Sequence, residues 1–221
     1  MKVISSIRLY KSSENENYIG FASKSLNIAV RRVTMKLREQ EFSLGEFNHL
    51  YLNFTTCRPE GKIELIDKVD RYHPWYRYCD IGVSQDEYEK LGAGNCADYV
   101  YTKIESVLLS LFNSGELTEE IVKKSITEAK IGPEMLMHFK EKKSAKGIAT
   151  IYLRLLDSGK YLPLLCVTDL EGKEIFRTDL PETIDLSIIG DIQLTSKKVT
   201  VKPRGNAFIK GLEPISFELR F

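Results

Sequence analysis

The chain has no C-x-x-C pair, no apolar run near the roughly 18 residues of a membrane span, and no excess of either charge sign. Its 221 residues carry 32 Lys+Arg against 31 Asp+Glu, a net charge of +1. The balance also holds locally: residues 1–56 carry 8 basic and 5 acidic side chains, residues 57–147 carry 14 and 16, and residues 148–221 carry 10 of each. No segment is a basic arm or an acidic tail, which argues against a general nucleic-acid or membrane binder. Seven Pro and 14 Gly are too few for a fibrous or low-complexity chain. The N-terminal MKVISSIRLYKSS lacks the apolar core of a signal peptide. Cys57, Cys79, Cys96 and Cys166 are scattered, as expected of buried thiols in a reducing compartment. The expectation is a soluble cytoplasmic protein.

What is present is ordinary globular material: 43% hydrophobic and 10% aromatic residues, enough for one large domain or two small ones. Val3 to Tyr10 reads as a strand, followed by a polar loop at Ser12–Asn17. Leu26, Val30, Val33 and Leu37 recur at helical spacing, predicting a helix between Ser23 and Gln40. Leu50, Leu52 and Phe54 alternate with Tyr51, Asn53 and Thr55, the period of a strand. A turn at Arg58-Pro59-Glu60-Gly61 leads to a second strand through Ile63, Leu65 and Val69, and Trp75 to Val83 makes a third. In that third strand Trp75, Cys79, Ile81 and Val83 share one face, and Tyr76, Tyr78 and Asp80 the other. Order along the chain predicts an antiparallel meander.

Ser84-Gln85-Asp86-Glu87 is a capping-box pattern opening a short helix. Asn95 or Asp98 is placed to cap a longer helix to about Phe112, and two more are expected over Thr118–Lys130 and Pro133–Lys143. From Ile148 the pattern turns to strands: Ile148–Leu156, Tyr161–Thr168, Lys173–Arg177, Ile184–Thr195, Lys198–Lys202 and Ile215–Phe221. The predicted fold class is α+β: N-terminal strands in an antiparallel meander with several helices, then an antiparallel β-rich C-terminal part. The boundary falls at Lys142–Gly147, giving an α+β domain over 1–147 and a β-rich domain or extension over 148–221.

Chemical motifs are sparse. Gly92-Ala93-Gly94-Asn95-Cys96-Ala97 matches G-x-G-x-x-[GA] before a helix, but an acidic segment takes the place of the strand that dinucleotide binding needs; a helix stop and restart explains it better. Asp157 with Glu171-Gly172-Lys173 has the spacing of a metal nuclease, yet Glu171 and Gly172 belong to a hairpin loop. His49, His73 and His138 are available as bases and Cys57, Cys79 or Cys96 as nucleophiles, without the local signature of a cysteine enzyme or a close zinc-ligand pair. No catalytic residue, metal or cofactor is assigned.

The least ordinary stretch is Arg71 to Tyr78, with the single Trp, three of eleven Tyr and two Arg in eight residues. Tyr, Trp and Arg dominate interface energetics because they bury much area and still hydrogen-bond at the tip. Tyr72, Trp75, Tyr76, Arg77, Tyr78 and Asp80, with the acidic Asp86, Glu87 and Glu89, form the candidate partner-binding set. A buried aromatic strand beside a solvated acidic helix is the plainer account of the same residues.

The strings Leu50-Tyr51-Leu52-Asn53-Phe54-Thr55 and Trp75 to Val83, with a weaker echo in Tyr161 to Val167, resemble bacterial immunity proteins of polymorphic toxin systems. The resemblance implies a small cytoplasmic protein that binds a cognate toxin and blocks it. It carries over no active-site residues. Two functions follow as expectations: a stoichiometric inhibitor that occludes a toxin, or a metal-dependent hydrolase or nuclease whose carboxylates gather only in the fold. An accessory subunit differs from the first only in its partner. A homodimer is compatible with either, and neither involves nucleic-acid or membrane association as a general property.

Overall fold

In the computed structural model the described residues are 2–21, 23–91, 96–205 and 211–219. The chain divides into two units, Met1–Gly132 and Pro133–Phe221. Among the described residues no helix is long and apolar enough to cross a membrane.

The first unit contains strands β1 (Ser6–Ser13) and β2 (Glu16–Gly20), helix α1 (Lys24–Glu39) and strands β3 (His49–Thr55), β4 (Ile63–Ile66) and β5 (Tyr76–Gly82). Helices α2 (Gln85–Lys90), α3 (Ala97–Phe112) and α4 (Glu116–Ala129) complete it. The sheet order is β2-β1-β3-β5-β4. β1 pairs parallel with β3 and β3 parallel with β5, while β2 and β4 pair antiparallel at the two edges. The α+β class therefore stands, but the antiparallel meander is corrected. β3 and β5 are seven residues long with largely buried apolar positions, and such strands take the centre of a sheet. β4 has only four half-buried residues and ends before Val69, so it is left at an edge.

Alternation sorts the two sheet faces. Ile7, Leu9, Leu50, Leu52, Phe54, Cys79 and Ile81 are all at most 5% exposed and form the core with the helices. On this side α1 packs on β1, Tyr99 of α3 approaches Phe54 with ring centroids 6.3 Å apart, and α4 packs against α1 and α3. Helix α1 forms where its periodicity places it: Ser23 caps it by accepting from the Leu26 amide, and Leu26, Val30, Val33 and Leu37 are buried. Lys36 lies in the same buried stripe and is held by Glu39 and by Glu128 of α4. Asp98 is no cap; it sits in the first turn of α3 and pairs with Lys130 at 3.1 Å. Asn95 and the glycine motif over 92–95 lie outside the described residues.

The second unit holds a four-stranded antiparallel sheet of β6 (Met137–Ser144), β7 (Gly147–Leu155), β8 (Tyr161–Thr168) and β9 (Glu174–Asp179). A three-stranded sheet follows, of β10 (Asp191–Leu194), β11 (Lys198–Lys202) and β12 (Ile215–Glu218). β10 lies against β6 and β7, and Phe176 meets Phe217 at 5.3 Å between ring centroids. The helix expected at Pro133–Lys143 is a single 3-10 turn, Gly132–Glu134, followed by β6. Met135, Met137 and Phe139 alternate at period two, and pairing with β7 overrides the helix preference of the Lys and Glu that follow at 140–143. The segment Lys142–Gly147 is accordingly a hairpin and not a linker; the chain divides at Gly132. Ile184–Thr195 is likewise broken, into a 3-10 turn at Leu186–Ile188 and β10.

Candidate functional site

In-register parallel pairing turns one sheet face into a grid. Its rows run Ser6–His49–Tyr76, Arg8–Tyr51–Tyr78 and Tyr10–Asn53–Asp80 across β1, β3 and β5. Neighbouring strands lie about 4.7–4.9 Å apart, so tyrosines in one row are set at stacking distance. Tyr51 is the hub: its ring centroid is 5.0 Å from Tyr78, 4.8 Å from Tyr76 and 5.7 Å from Tyr10. His49 and His73 extend the array over Tyr76 at 4.9 and 4.7 Å, the latter nearly coplanar, and Tyr18 of β2 joins Tyr10 edge-on at 6.5 Å. Cations border it, with Arg8 over Tyr51 at 5.6 Å and Lys68 over Tyr78 and Tyr18 at 5.1 and 5.7 Å. Each such aromatic or cation–π contact contributes roughly 0.5–1.5 kcal/mol beyond area burial.

A polar cluster sits beside the rings. Asn53, 3% exposed, donates through Nδ2 to Asp80 Oδ1 and to Ser12 Oγ, both at 2.9 Å. Asp80, 7% exposed, also accepts from Arg58 Nε at 3.3 Å and from the Tyr18 hydroxyl at 3.5 Å. Asn53 Oδ1 is buried and receives no hydrogen bond. A buried acceptor left this way costs about 1–3 kcal/mol, so the fold holds an unsatisfied group at this point. Tyr10, Tyr18, Tyr51, Asn53, Lys68 and Tyr78 enclose a recess of ≈ 240 Å³ there.

The surroundings shift the titrating groups. Burial, then the neighbouring Tyr76, pushes the Tyr51 phenol up. Burial and the charge of Asp70 raise Tyr78, whose hydroxyl donates to Asp70 Oδ2 at 3.5 Å. Burial lowers His49, with Arg8 and His73 adding to the effect. The Tyr51 and Tyr78 phenols thus stay neutral donors at ordinary pH.

The sequence candidates separate in space. Tyr76, Tyr78 and Asp80 lie on the tyrosine face, and Tyr72 projects beside it, 85% exposed, in the turn that Asp70 ties down. Trp75 is half-buried and meets His73 and Tyr76 edge-on. Arg77 points to the helix-bearing side, its guanidinium 5.0 Å from the Phe47 ring. Helix α2 is anchored on that side too: Lys11, paired in register with the buried Phe54, lies over the Tyr88 ring at 4.7 Å, and the Tyr88 hydroxyl donates to Glu16 at 2.6 Å. Glu87 closes the capping box with Ser84, Glu89 accepts from Gln85, and Asp86 is exposed. Tyr10, Tyr18, Tyr51, Asn53 and Lys68 were missed because only the pairing of strands distant in sequence brings them to Tyr78. The Tyr51–Asn53–Thr55 alternation is the one signal that pointed there.

The other constellations do not assemble. Asp157 lies in the β7–β8 turn and Glu171 in the β8–β9 turn, at opposite ends of the eight-residue β8, roughly 25 Å apart. Among the described residues no three His, Cys, Asp or Glu side chains are grouped to hold a metal ion. Cys79 faces the core, fully buried, its thiol pushed up to about 12 by burial, whereas His73 stacks on the opposite face. Cys57 is exposed and Cys96 and Cys166 are half-buried, so of the four only Cys79 is a fully buried thiol, fewer than the scattered spacing predicts. His138 lies on strand β6, edge-on to Tyr152, and not on a helix. No protein-family model, curated protein or solved structure matches the chain.

Proposed function

We propose that this chain is a non-catalytic protein-binding inhibitor, an immunity protein that neutralises a cognate bacterial toxin in the cytoplasm by covering its active site. The observation that carries the reading is the tyrosine array of the first unit. Eight aromatic or imidazole rings on β1, β2, β3, β5 and the turn before β5 adjoin a set of charged and amide groups. Rigid Tyr and Trp side chains lose little entropy on binding and offer both an apolar ring and a hydroxyl or N–H, which is why they form binding hot spots. Within the candidate set the reading rests on Tyr72, Trp75, Tyr76 and Tyr78 together with Tyr18; Asp80 and Tyr51, each 7% exposed, hold these side chains from beneath and offer little surface themselves. Arg77 supports β5 from behind, and α2 supplies only peripheral charge.

The test is capture of a partner from the native lysate by the tagged chain, identification by mass spectrometry, and titration calorimetry. The expected result is a single partner bound one to one at nanomolar strength, whose toxicity on expression is relieved by this chain. Tyr76→Ala and Tyr78→Ala should each weaken binding at least about tenfold, as hot-spot truncations do. Turnover of a nucleic-acid or ester substrate by the purified chain, with no stoichiometric partner, would instead make it an enzyme.

A further inference from the structure

The recess beside Asn53 is more selective than the face around it. Its ≈ 240 Å³ fall below the roughly 300–1,000 Å³ of sites that enclose a small ligand, and suit a single side chain better than a cofactor. Four of its six lining residues are tyrosines, whose ring faces are electronegative. Asn53 contributes the buried Oδ1 that accepts from nothing, with Asp80 hydrogen-bonded next to it. An ammonium is already present at the rings: Lys68 Nζ is within about 6 Å of two centroids, the range of cation–π attraction. Among the described residues Lys68 forms no ion pair, and it belongs to residues 67–70, which have no regular structure, so its side chain can leave without breaking a ladder hydrogen bond.

We propose that the recess receives the ammonium of a lysine side chain from the protein partner, which displaces Lys68; this rests on the partner-binding reading above. An ammonium brings three N–H donors, one of which satisfies Asn53 Oδ1 while the rings hold the charge. A planar guanidinium wants paired in-plane acceptors, and the recess offers one unsatisfied carbonyl oxygen. An anion would meet ring faces and a buried acceptor of the wrong sign, with Lys68 as the one cation among the lining residues. Lys68 therefore acts as an internal competitor: from the wall of the recess it holds the cation position over Tyr18 and Tyr78 until a better-placed ammonium arrives.

The experiment titrates the full chain with Nα-acetyl-lysine methylamide, its Nε-acetylated form, the glutamate analogue and putrescine, followed by the NMR signals of the tyrosine rings. Lys68→Ala should bind the lysine probe at least tenfold tighter than the unaltered chain, saturably, and should ignore the Nε-acetylated probe. Lys68→Ala with Tyr78→Ala should lose that gain. The proposal is overturned if Lys68→Ala shows no saturable response, or responds equally to the neutral probe. It is also overturned if the glutamate analogue binds only when Lys68 is present, or if putrescine binds tenfold tighter than the lysine probe. Capturing a partner separates the two failures. A partner whose binding survives acetylation of all its lysines, yet weakens with Tyr76→Ala, sinks the lysine inference alone; absence of any partner sinks the inhibitor reading whatever the probes show.

Discussion

Asp80 is where the polar order of the tyrosine face converges, since it accepts from Asn53, Arg58 and Tyr18 while 7% exposed. Asp80→Ala strands these donors, and a loss of about 1–3 kcal/mol is expected, read as a lower urea midpoint at unchanged slope. Asp80→Asn keeps an acceptor for Asn53 and should recover part of it. His49 acts through protonation. Its folded-state value is depressed below the ordinary 6.5 by burial, Arg8 and His73, so the unfolded chain binds more protons in the window just below that value. Stability from this group is full above the window and falls as pH is lowered through it. Urea midpoints at pH 5 and pH 7 should differ less in His49→Asn than in the unaltered chain. The thiols offer a third check: Cys57 should react with a disulfide reagent at once, and Cys79, its thiol pushed up to about 12, only on unfolding. Sequence could name Tyr76, Tyr78 and Asp80 because they cluster in one string. Asn53 and Tyr18 acquire their importance from neighbours 27 and 62 residues away in sequence, which no local pattern reports.

Elements whose signals are local were legible, and elements decided by distant pairing were not. Helix α1 has its cap and its apolar stripe within seventeen residues, and the capping box of α2 closes within four. Ser84→Ala should therefore cost about 0.5–2 kcal/mol in thermal or urea unfolding. Strand β6 carries Lys and Glu at many positions and was misread as helix, because its pairing with β7 lies outside the segment itself. The order of β3, β4 and β5 was misread for a related reason: adjacency in sequence favours a meander, but burial on the centre strands favours the parallel pair. Gly82 marks how closely β5 is held by the turn before β4. A Cβ there would stand 1.8 Å from Pro59 O, so Gly82→Ala should destabilise by at least about 1–3 kcal/mol although its φ is ordinary. Helix α2 tests the peripheral role given to its charges. Asp86→Ala with Glu89→Ala, leaving the capping Glu87 intact, should slow association with a basic partner at low salt and leave dissociation nearly unchanged.

At the scale of the whole molecule, composition and the shift from helices to strands were enough to give the α+β class and a β-rich C-terminal part. They misplaced the division, because the hairpin at Lys142–Gly147 has the Lys, Ser and Gly content of a linker while its backbone is paired. The candidate site was half legible: β1, β3 and β5 were each read as strands, and their parallel side-by-side pairing was not, since such pairing leaves no mark on any one strand alone. That pairing also governs when the site comes into being. Ser6 meets His49 and His49 meets Tyr76, so the three central strands close loops of some forty and some thirty residues before any row of tyrosines exists. Contacts of such sequence separation slow folding. During synthesis β3 waits with one open edge until residue 82 has emerged. A nascent chain stalled before β5 would present the bare edge of β3 and a face that lacks Tyr76 and Tyr78, a form ready for a chaperone and useless to a partner.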